Sequence, residues 1–372
     1  MKAIKEAKKY DPSEVGTQFL VQQFDRLCQL INNNKKELST LIINEIGKTK
    51  RDTTAEIDRA ITTIKSVRDA RVTLSGDLLE SANYVEGENK LGLVRHAPLG
   101  IVLAITPFNF PINLALHKIA PALAMGNSVL FKPHPQCYKS SKFLVNLFYE
   151  AGFSRNSLKM ICPSHETMGE ITFLPDIKCI SFTGGIIGAK AISKSAVLQK
   201  QLFELGGNDA LVIFPDADLN KAAETIINQR FGCSGQRCTA PKRIFLHESI
   251  YEDTKRILVK KTRDLIVGDP QNSDTFVGPV VSKEAAEKVM KRIASAIKGG
   301  AKIITGGQCT GALIQPTIIE NLDLEMDLIK EETFGPVVSL LQFSKMDELI
   351  TQINNTPFGL QCGVFTNNIH NA

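Results

Sequence analysis

A glutamate and a cysteine, each inside a glycine-containing motif, are the residues of this sequence that point most directly to chemistry. Glu204 lies in Phe-Glu-Leu-Gly-Gly at 203–207, and Cys238 lies in Ser-Gly-Gln-Arg-Cys-Thr-Ala at 234–240. A thiolate attacks an aldehyde carbonyl, and a carboxylate later activates the water that releases the acyl group from sulfur. The pair therefore indicates covalent catalysis at a carbonyl carbon.

The sequence around Cys238 is basic. Arg237 precedes it directly, and Arg230, Lys242 and Arg243 are close to it in the chain. Positive charge favours a thiolate, whose thiol otherwise has a pKa of about 8.5, so we expect these residues to promote ionisation of Cys238. The alternative is a structural role, which is the usual one for a single cysteine. The glycine and polar neighbours of Cys238 make it the cysteine least like a core residue.

An asparagine stands between two prolines in Thr-Pro-Phe-Asn-Phe-Pro at 106–111, directly after a predicted buried strand. An amide held rigidly at the carboxyl edge of a sheet is a suitable donor to an oxyanion, and loss of one such donor typically reduces turnover about 100- to 1000-fold. The alternative role for this residue, Asn109, is to cap the helix that follows.

A glycine-rich turn at 182–188, Phe-Thr-Gly-Gly-Ile-Ile-Gly, follows one predicted strand and opens a predicted helix. Because Gly184, Gly185 and Gly188 have no Cβ, the backbone N–H groups here can approach a pyrophosphate or a nicotinamide ring. A tight strand-to-helix turn without a ligand is the alternative. The run is not a GxGxxG fingerprint.

The composition argues against several classes of protein. The 372 residues are 43% hydrophobic and 22% charged, as in ordinary globular proteins, and the length indicates two or three domains. We expect a cytoplasmic protein with no membrane contact, because no apolar run reaches about 18 residues and the N-terminus has no signal-peptide core.

The cysteine, histidine and charge patterns also limit the possible ligands. The eight cysteines form no CxxC pair and the six histidines have no HxxxH or HxxEH spacing, so no metal site or disulfide framework is predicted. The net charge of +5 comes from dispersed basic residues, and the chain has no Trp. Nucleic-acid binding is therefore not expected.

The apolar pattern predicts an α/β fold with two domains. Helical spacing over residues 18–73 indicates a helical layer, and the short, wholly apolar runs that follow indicate strands buried on both faces. Repeated strand and helix segments predict a doubly wound parallel sheet. We expect an N-terminal helical layer and NAD(P)-binding domain at 1–206 and a second α/β, catalytic domain at 207–372. The predicted strands are 100–105, 128–131, 158–162, 179–182 and 211–214, and the predicted helices are 112–124, 140–152, 166–174 and 219–227.

Six motifs, in order, resemble those of the aldehyde dehydrogenase superfamily over nearly the whole chain. They are the asparagine motif at 106–111, Lys132-Pro133, the turn at 182–188, the glutamate motif at 204–207, Gly235–Cys238, and Glu-Glu-Thr-Phe-Gly-Pro at 331–336. The resemblance implies that the Cys238 thiolate attacks an aldehyde, that Asn109 and the Cys238 N–H hold the oxyanion, and that Glu204 activates water.

The same resemblance implies an NAD or NADP cofactor. Lys132 would hold the adenosine ribose, and Glu332 and Phe334 would position the nicotinamide ribose and ring; the other cofactor-binding positions are Phe108, Gly184, Gly185 and Gly188. Members that prefer NAD commonly have a glutamate where this chain has Pro135. Because that carboxylate would repel a 2′-phosphate, its absence beside Lys132 and His134 favours NADP or dual use.

The motif at 235–243 is most similar to two groups, the phosphonoacetaldehyde or lactaldehyde dehydrogenase-like proteins and the non-phosphorylating glyceraldehyde-3-phosphate dehydrogenases. In the second group an arginine directly before the cysteine contacts the substrate phosphate. Arg237 is therefore expected to select small anionic aldehydes, since a guanidinium fork matches phosphate or carboxylate. The alternative is that Arg237 tunes the cysteine or forms an internal ion pair.

Compared with the family, the chain is expected to be incomplete at its C-terminus. The resemblance implies a homodimer or homotetramer when the missing C-terminal region is present. The sequence leaves two alternatives to a hydrolytic aldehyde dehydrogenase. One is a coenzyme-A-acylating semialdehyde dehydrogenase, although that group usually lacks a glutamate at the position of Glu204. The other is a catalytically silent fragment with the same fold.

Overall fold

The computed structural model describes residues 2–80 and 90–372. The chain forms two compact units, one comprising Met1–Leu38 and Ala55–Glu204 and the other comprising Ser39–Thr54 and Leu205–Ala372. This division ends the first unit two residues before the boundary expected from the sequence. It also assigns Ser39–Thr54, which the sequence placed in the first domain, to the second unit. No helix within the described residues is long and apolar enough to span a membrane.

Helices open the chain, and the periodicity predicted those between residues 18 and 73 but not the first. They are α1 (Lys2–Ala7), α2 (Thr17–Asn33), α3 (Lys35–Ile46) and α4 (Lys50–Thr73). In α2 the buried side chains, including Leu20, Phe24, Leu27 and Ile31, recur every three or four residues and so form one apolar face. A two-stranded antiparallel ribbon follows, with strands β1 (Asp77–Glu80) and β2 (Leu91–Val94).

The centre of the first unit is a five-stranded sheet in which all pairs of neighbours are parallel. Its strands are β3 (Ile101–Ile105), β4 (Ser128–Lys132), β5 (Leu158–Met160), β6 (Ile177–Thr183) and β7 (Lys200–Glu204), in the spatial order β5-β4-β3-β6-β7. Helices make the crossovers: α5 (Asn113–Ala124), α6 (Tyr138–Glu150), α7 (His165–Phe173) and α8 (Ile186–Ser195). The strand order reverses next to β3, and ligands of such sheets bind beyond the carboxyl ends of the strands at this switch point.

The strand and helix predictions for this unit are confirmed, with one omission. Every residue of β3 is buried, which explains the continuous apolar run. The strand β7 was not predicted. Its sequence, Lys-Gln-Leu-Phe-Glu, mixes polar and apolar residues, and it lies at an edge of the sheet with side chains that are exposed or half-buried.

The second unit contains a mixed six-stranded sheet. Its strands are β8 (Ala210–Ile213), β9 (Arg243–His247), β10 (Lys302–Thr305), β13 (Thr317–Glu320), β14 (Val337–Phe343) and β15 (Cys362–Phe365), ordered β10-β13-β14-β9-β8-β15; a small ribbon pairs β11 (Cys309–Thr310) with β12 (Leu313–Ile314). Pairing is parallel except between β10 and β13. This confirms a second α/β unit.

Helices cover this second sheet: α9 (Leu219–Ile226), α10 (Tyr251–Arg263), α11 (Lys283–Lys298), α12 (Asp327–Lys330) and α13 (Met346–Asn354). One apolar cluster packs α9 and α10 against the sheet through Ile226, Leu258, Ile244 and Val338. The sequence offers two acidic residues before α9, Asp216 and Asp218, as its N-cap. Asp218 is the cap, because its carboxylate accepts from the backbone N–H groups of the first turn.

Candidate active site

The candidate residues of the first unit lie where its parallel strands end. Lys132 is the last residue of β4 and pairs with Ile105, the last residue of β3. Thr183 ends β6 and pairs with Glu204, which ends β7. Because parallel strands have their carboxyl ends at one edge of the sheet, these residues share an edge with the start of the Asn109 segment and of the glycine turn.

Glu204 is held by two donors from its own unit. Its Oε2 atom accepts a hydrogen bond from the Thr183 hydroxyl and another from Lys118 Nζ at 3.1 Å. The Glu204 side chain is 54% exposed, whereas that of Lys118 is 3% exposed. Lys118 also donates to Ser181 Oγ at 3.2 Å. A buried cation thus faces an accessible carboxylate.

These contacts determine the protonation of Glu204. Burial alone raises its pKa, but the hydrogen bond from Thr183 and the positive charge of Lys118 outweigh burial and hold the pKa of Glu204 below its ordinary value. Glu204 is therefore ionised at neutral pH, as a general base must be. Sequence reasoning missed Lys118 and Thr183. The available signal was a lysine inside the otherwise mainly apolar helix α5.

Asn109 lies in the connection between β3 and α5 and is 6% exposed. The N-cap residue of α5 is Ile112, whose side chain makes no capping hydrogen bond. Instead, Glu56 Oε1 accepts from the backbone N–H groups of Ile112 at 2.8 Å and Asn113 at 3.1 Å. A buried carboxylate at the start of α5 thus fixes the end of the loop that carries Asn109.

The neighbours of Lys132 at this edge are His134, Phe108 and Cys162. The rings of Phe108 and His134 meet edge to face, with centroids 5.4 Å apart. Burial lowers the pKa of Lys132, and Cys162 opposes this. Burial and the charge of Lys132 both lower the pKa of His134, so its imidazole is neutral at neutral pH.

The three glycines of the turn at 182–188 differ in their surroundings. A Cβ on Gly184 would lie 2.5 Å from the Phe182 ring, and one on Gly188 would lie 2.9 Å from it. Both glycines are therefore needed for packing on Phe182. Gly185 is the N-cap of α8, has an ordinary φ of −76°, and has open space where a Cβ would lie. The N-terminus of α8 is consequently accessible at Gly185.

In the second unit, an unusual backbone path leads to Cys238. A π-helical turn over Ile227–Phe231 is followed by the turn Gly232–Gly235. Cys233 has a φ of 53°, Ser234 of 55° and Gly235 of 72°, so three consecutive residues are left-handed. For the two residues with side chains this conformation costs about 1–2 kcal/mol each. Such strain persists only where the surroundings enforce it.

Hydrogen bonds from distant residues enforce this turn. The Cys233 N–H donates to Asp52 Oδ2 at 2.7 Å, and Ser234 Oγ donates to the Gly278 carbonyl at 2.8 Å. Gln236 Oε1 accepts from the Val281 N–H at 2.8 Å. A Cβ on Gly235 would lie 2.1 Å from a carbonyl oxygen, so no other residue fits at that position.

Arg230, which is fully buried, connects the cysteine loop to the segment that carries Glu332. Its guanidinium donates to the carbonyls of Gly235 at 3.1 Å, Thr333 at 2.9 Å and Val337 at 2.5 Å. Burial lowers its pKa to about 9, so Arg230 remains charged at neutral pH. One cation thus fixes the backbone on both sides of the candidate site in this unit.

The expectation that several neighbouring charges promote ionisation of Cys238 is corrected. Burial raises the pKa of the Cys238 thiol, and the charge of Lys242 together with backbone N–H groups offsets this only in part. Arg230 is bonded to backbone carbonyls, and Arg243 donates to the carbonyls of Asn208, Gln352 and Ile353. Adjacency in sequence therefore overstated the positive potential at the sulfur. Arg237, the fourth basic residue, is partly exposed.

Glu332 lies beside Lys242. Its Oε1 atom is 3.4 Å from Lys242 Nζ and accepts from the Gly207 N–H at 3.3 Å. A Cβ on Gly206 would lie 2.0 Å from Glu332 Oε2, so the glycine motif after Glu204 leaves room for this carboxylate. Burial raises the pKa of Glu332, and Lys242 opposes the rise. Phe334, two residues further on, is half-buried.

Each unit therefore gathers its own part of the predicted set. The first unit brings Lys132 and Glu204 to one sheet edge, and the second brings Cys238 close to Glu332 through Lys242. Within residues 2–80 and 90–372, no group of three or more His, Cys, Asp or Glu side chains is arranged to hold a metal ion. Sequence reasoning singled out Lys242 only as a nearby charge.

One unit contains a Rossmann-like parallel sheet, and the other contains a braced, partly buried cysteine. The profile of the aldehyde dehydrogenase family matches residues 1–372. The chain belongs to the aldehyde dehydrogenase family.

Relatives and solved structures agree with this assignment. Sulfoacetaldehyde dehydrogenase of Neptuniibacter caesariensis is 45% identical over 346 residues, which cover 93% of this chain and 76% of that protein. 3-Sulfolactaldehyde dehydrogenase of Priestia aryabhattai is 35% identical over 348 residues, covering 93% of this chain and 73% of that protein. The NADP-dependent glyceraldehyde-3-phosphate dehydrogenase of Bacillus halodurans C-125, solved with NADP, has a TM-score of 0.96 and 32% identity, covering 100% of this chain and 78% of that one.

Asp209 leads to a prediction about stability and pH. The residue is 5% exposed, and its Oδ2 atom is buried without a hydrogen-bond partner among the described residues. Burial raises its pKa from 3.8 to about 6, although Lys242 opposes the rise. The folded state therefore binds this proton more tightly than the unfolded state, so the stabilisation is complete below about pH 4 and is lost as pH rises through about 6.

We expect Asp209→Asn to remove this dependence. Between pH 4.5 and 7 the free energy of unfolding of the wild type should fall by about 2 kcal/mol relative to the variant. Denaturant unfolding of both proteins at the two pH values measures the difference, with exposed Asp264→Asn as the control. A difference between wild type and Asp209→Asn that is constant across this range would contradict the assignment.

Proposed function

We propose that this chain oxidises a small anionic aldehyde to its carboxylate with NAD or NADP, through a thiohemiacetal and a thioester on Cys238. Membership of the aldehyde dehydrogenase family supports the reaction class. Its relatives act on sulfoacetaldehyde, 3-sulfolactaldehyde and glyceraldehyde 3-phosphate. Each of these substrates carries an anionic group, which supports the substrate class.

The observation that carries the proposal is the pair of donors that hold the accessible carboxylate of Glu204. Thr183 and Lys118 both donate to its carboxylate, which remains largely exposed. A carboxylate that is ionised and accessible to water is the base needed to hydrolyse a thioester. This favours release of a free acid over transfer of the acyl group to coenzyme A.

The protein's own residues take the following roles. The Cys238 thiolate attacks the aldehyde carbon, and the Asn109 amide and the Cys238 N–H donate to the oxyanion that develops. Bound NAD(P) supplies the hydride acceptor for this chemistry. Glu204 then removes a proton from water as the water attacks the thioester, which releases the carboxylate and regenerates Cys238.

The residues of the first unit fit an NAD(P) cofactor. The open helix N-terminus at Gly185 has free N–H groups suited to pyrophosphate, and Lys132 is suited to the adenosine ribose. Glu332 and Phe334, from the second unit, are proposed for the nicotinamide riboside. Because Lys132 is the cation at the sheet edge and Pro135 stands where a repelling carboxylate is common in NAD-preferring members, we propose NADP or dual use.

The cofactor proposal makes a prediction about Gly185. Because its φ is ordinary and the space around it is open, Gly185→Ala should leave the thermal midpoint of the cofactor-free protein unchanged while raising the Kd for NADPH about tenfold or more. Fluorescence titration and thermal unfolding measure the two quantities. The matched variant Gly184→Ala should lower the midpoint, since its methyl collides with Phe182. Unaltered NADPH and NADH affinity in Gly185→Ala would count against a cofactor at this turn.

Arg237 provides the test of substrate class. We expect Arg237→Gln to reduce kcat/KM for sulfoacetaldehyde and glyceraldehyde 3-phosphate by about 30-fold or more, because a charge-assisted bidentate contact is lost, while propionaldehyde oxidation changes little. Formation of NAD(P)H follows the reaction, and Arg256→Gln, on the exposed side of α10, is the control. Equal losses of kcat/KM on charged and neutral aldehydes would mean that Arg237 does not recognise the anionic group of the substrate.

Glu204 provides the test of mechanism. In Glu204→Gln we expect steady-state turnover to fall about 100- to 10,000-fold, because the general base is lost, while a first-turnover burst of NAD(P)H remains. Intact-protein mass spectrometry should then detect the acyl adduct on Cys238. Cys238→Ala should give neither burst nor adduct.

Product analysis distinguishes hydrolysis of the thioester from transfer of the acyl group to coenzyme A. The wild type should release free carboxylate at the same rate with and without coenzyme A. Turnover that depends on coenzyme A and yields an acyl thioester would replace the hydrolytic assignment.

A further inference from the structure

The ammonium of Lys242 is directed at the backbone of the loop that carries Cys238. Its Nζ atom lies 2.7 Å from the carbonyl oxygen of Cys238, 3.1 Å from that of Arg237 and 3.3 Å from that of Ala240. The Lys242 side chain is 3% exposed. An ammonium has three donors and no acceptor, so these three carbonyls can use all of its hydrogen-bonding capacity.

Because peptide bonds are planar, these contacts also orient the backbone N–H groups on the opposite side of the loop. The described residues contain no cis peptide bond, and in a trans peptide the C=O and N–H groups point in opposite directions. The Arg237 carbonyl shares a peptide with the Cys238 N–H, and the Cys238 carbonyl shares one with the Thr239 N–H. By holding the two carbonyls, Lys242 turns both N–H groups away from itself.

We propose that Lys242 is a positioning residue for the nucleophile: its ammonium holds the Arg237 and Cys238 carbonyls so that the N–H groups of Cys238 and Thr239 point to the opposite side of the loop, and its charge stabilises the thiolate. The inference rests on the proposed role of Cys238 as the nucleophile. It assigns to one buried side chain both the orientation of the oxyanion-binding N–H and part of the thiolate's electrostatic support.

The charge balance around Lys242 fits this role. Burial and the nearby Arg230 lower the pKa of Lys242 to about 8, while Glu332 and Asp209 oppose the decrease. Lys242 is thus mainly protonated at neutral pH. An isolated ammonium is expensive to bury, and a neutral side chain of similar length would fill the same volume without that cost. A charged group at this position is explained by what it does to the loop and the sulfur.

Site-resolved alkylation tests the proposal without substrate or cofactor. The full chain and its Lys242→Met, Lys242→Gln and Lys242→Arg variants are treated with iodoacetamide between pH 6 and 10, and the rate at Cys238 is followed by peptide mass spectrometry. Peptide resolution is needed because the chain has eight cysteines. Lys288→Met, at an exposed position of α11, is the matched control.

We expect Lys242→Met and Lys242→Gln to alkylate at least about tenfold more slowly at pH 7 and to have their pH midpoints raised by about one unit or more, since the thiolate is the reactive form. Lys242→Arg keeps the charge and should stay within about half a unit of the wild type. The proposal would be overturned if Lys242→Met and Lys242→Gln had the wild-type alkylation midpoint. It would also be overturned if the midpoint of Lys242→Arg were raised as much as that of Lys242→Met.

Two further measurements keep the outcomes distinct. Circular dichroism and thermal unfolding establish that each variant is folded. If Lys242→Met is unfolded, Lys242→Gln and Lys242→Arg are compared instead. Both of these variants retain N–H donors, and they differ in charge. Aldehyde turnover is measured separately. Failure of the proposed function would leave the wild type inactive on every aldehyde with the alkylation shift intact, whereas failure of the Lys242 role would leave turnover intact and the alkylation midpoint unshifted.

Discussion

The candidate site of the second unit depends on hydrogen bonds that buried cations donate to backbone carbonyls. Arg230 holds the carbonyls of Gly235, Thr333 and Val337, and Lys242 holds those of Arg237, Cys238 and Ala240. Burying either cation without partners would be prohibitive, and leaving the carbonyls unpaired would cost about 1–3 kcal/mol each. The cations and the strained loop therefore require each other. This mutual requirement fixes the left-handed turn before Cys238 as a single conformation.

The sequence was sufficient where the structure is determined by local patterns. Strands buried on both faces must be apolar throughout, so β3, β4 and β6 were found from their continuous apolar runs, and the repeated helices between them predicted a parallel sheet. The carboxyl edge then followed from topology, because each strand of such a sheet ends on the same side. The strand β7 was missed because an edge strand has no second neighbour to bury its polar positions.

The sequence was insufficient where partners lie far apart in the chain. Lys118 and Glu204 are separated by 86 positions, Arg230 and Val337 by 107, and Asp52 and Cys233 by 181. No spacing rule connects such residues, since the fold alone brings them together. Proximity in sequence was also misleading: Arg230 and Arg243 are close to Cys238 in the chain, yet the carbonyls they bind determine where their charges lie.

Glu204 and Cys238 are held in opposite protonation states because different donors are available to them. Burial disfavours the charged form of both, but two donors outweigh it at Glu204, whereas at Cys238 burial prevails. Lys242, whose charge lowers the pKa of Cys238, also lies beside Glu332, whose negative charge opposes thiolate formation. Glu332 is also the residue proposed to bind the nicotinamide ribose. Lys242 thus divides its positive charge between the sulfur, where it favours the thiolate, and a carboxylate that opposes the thiolate.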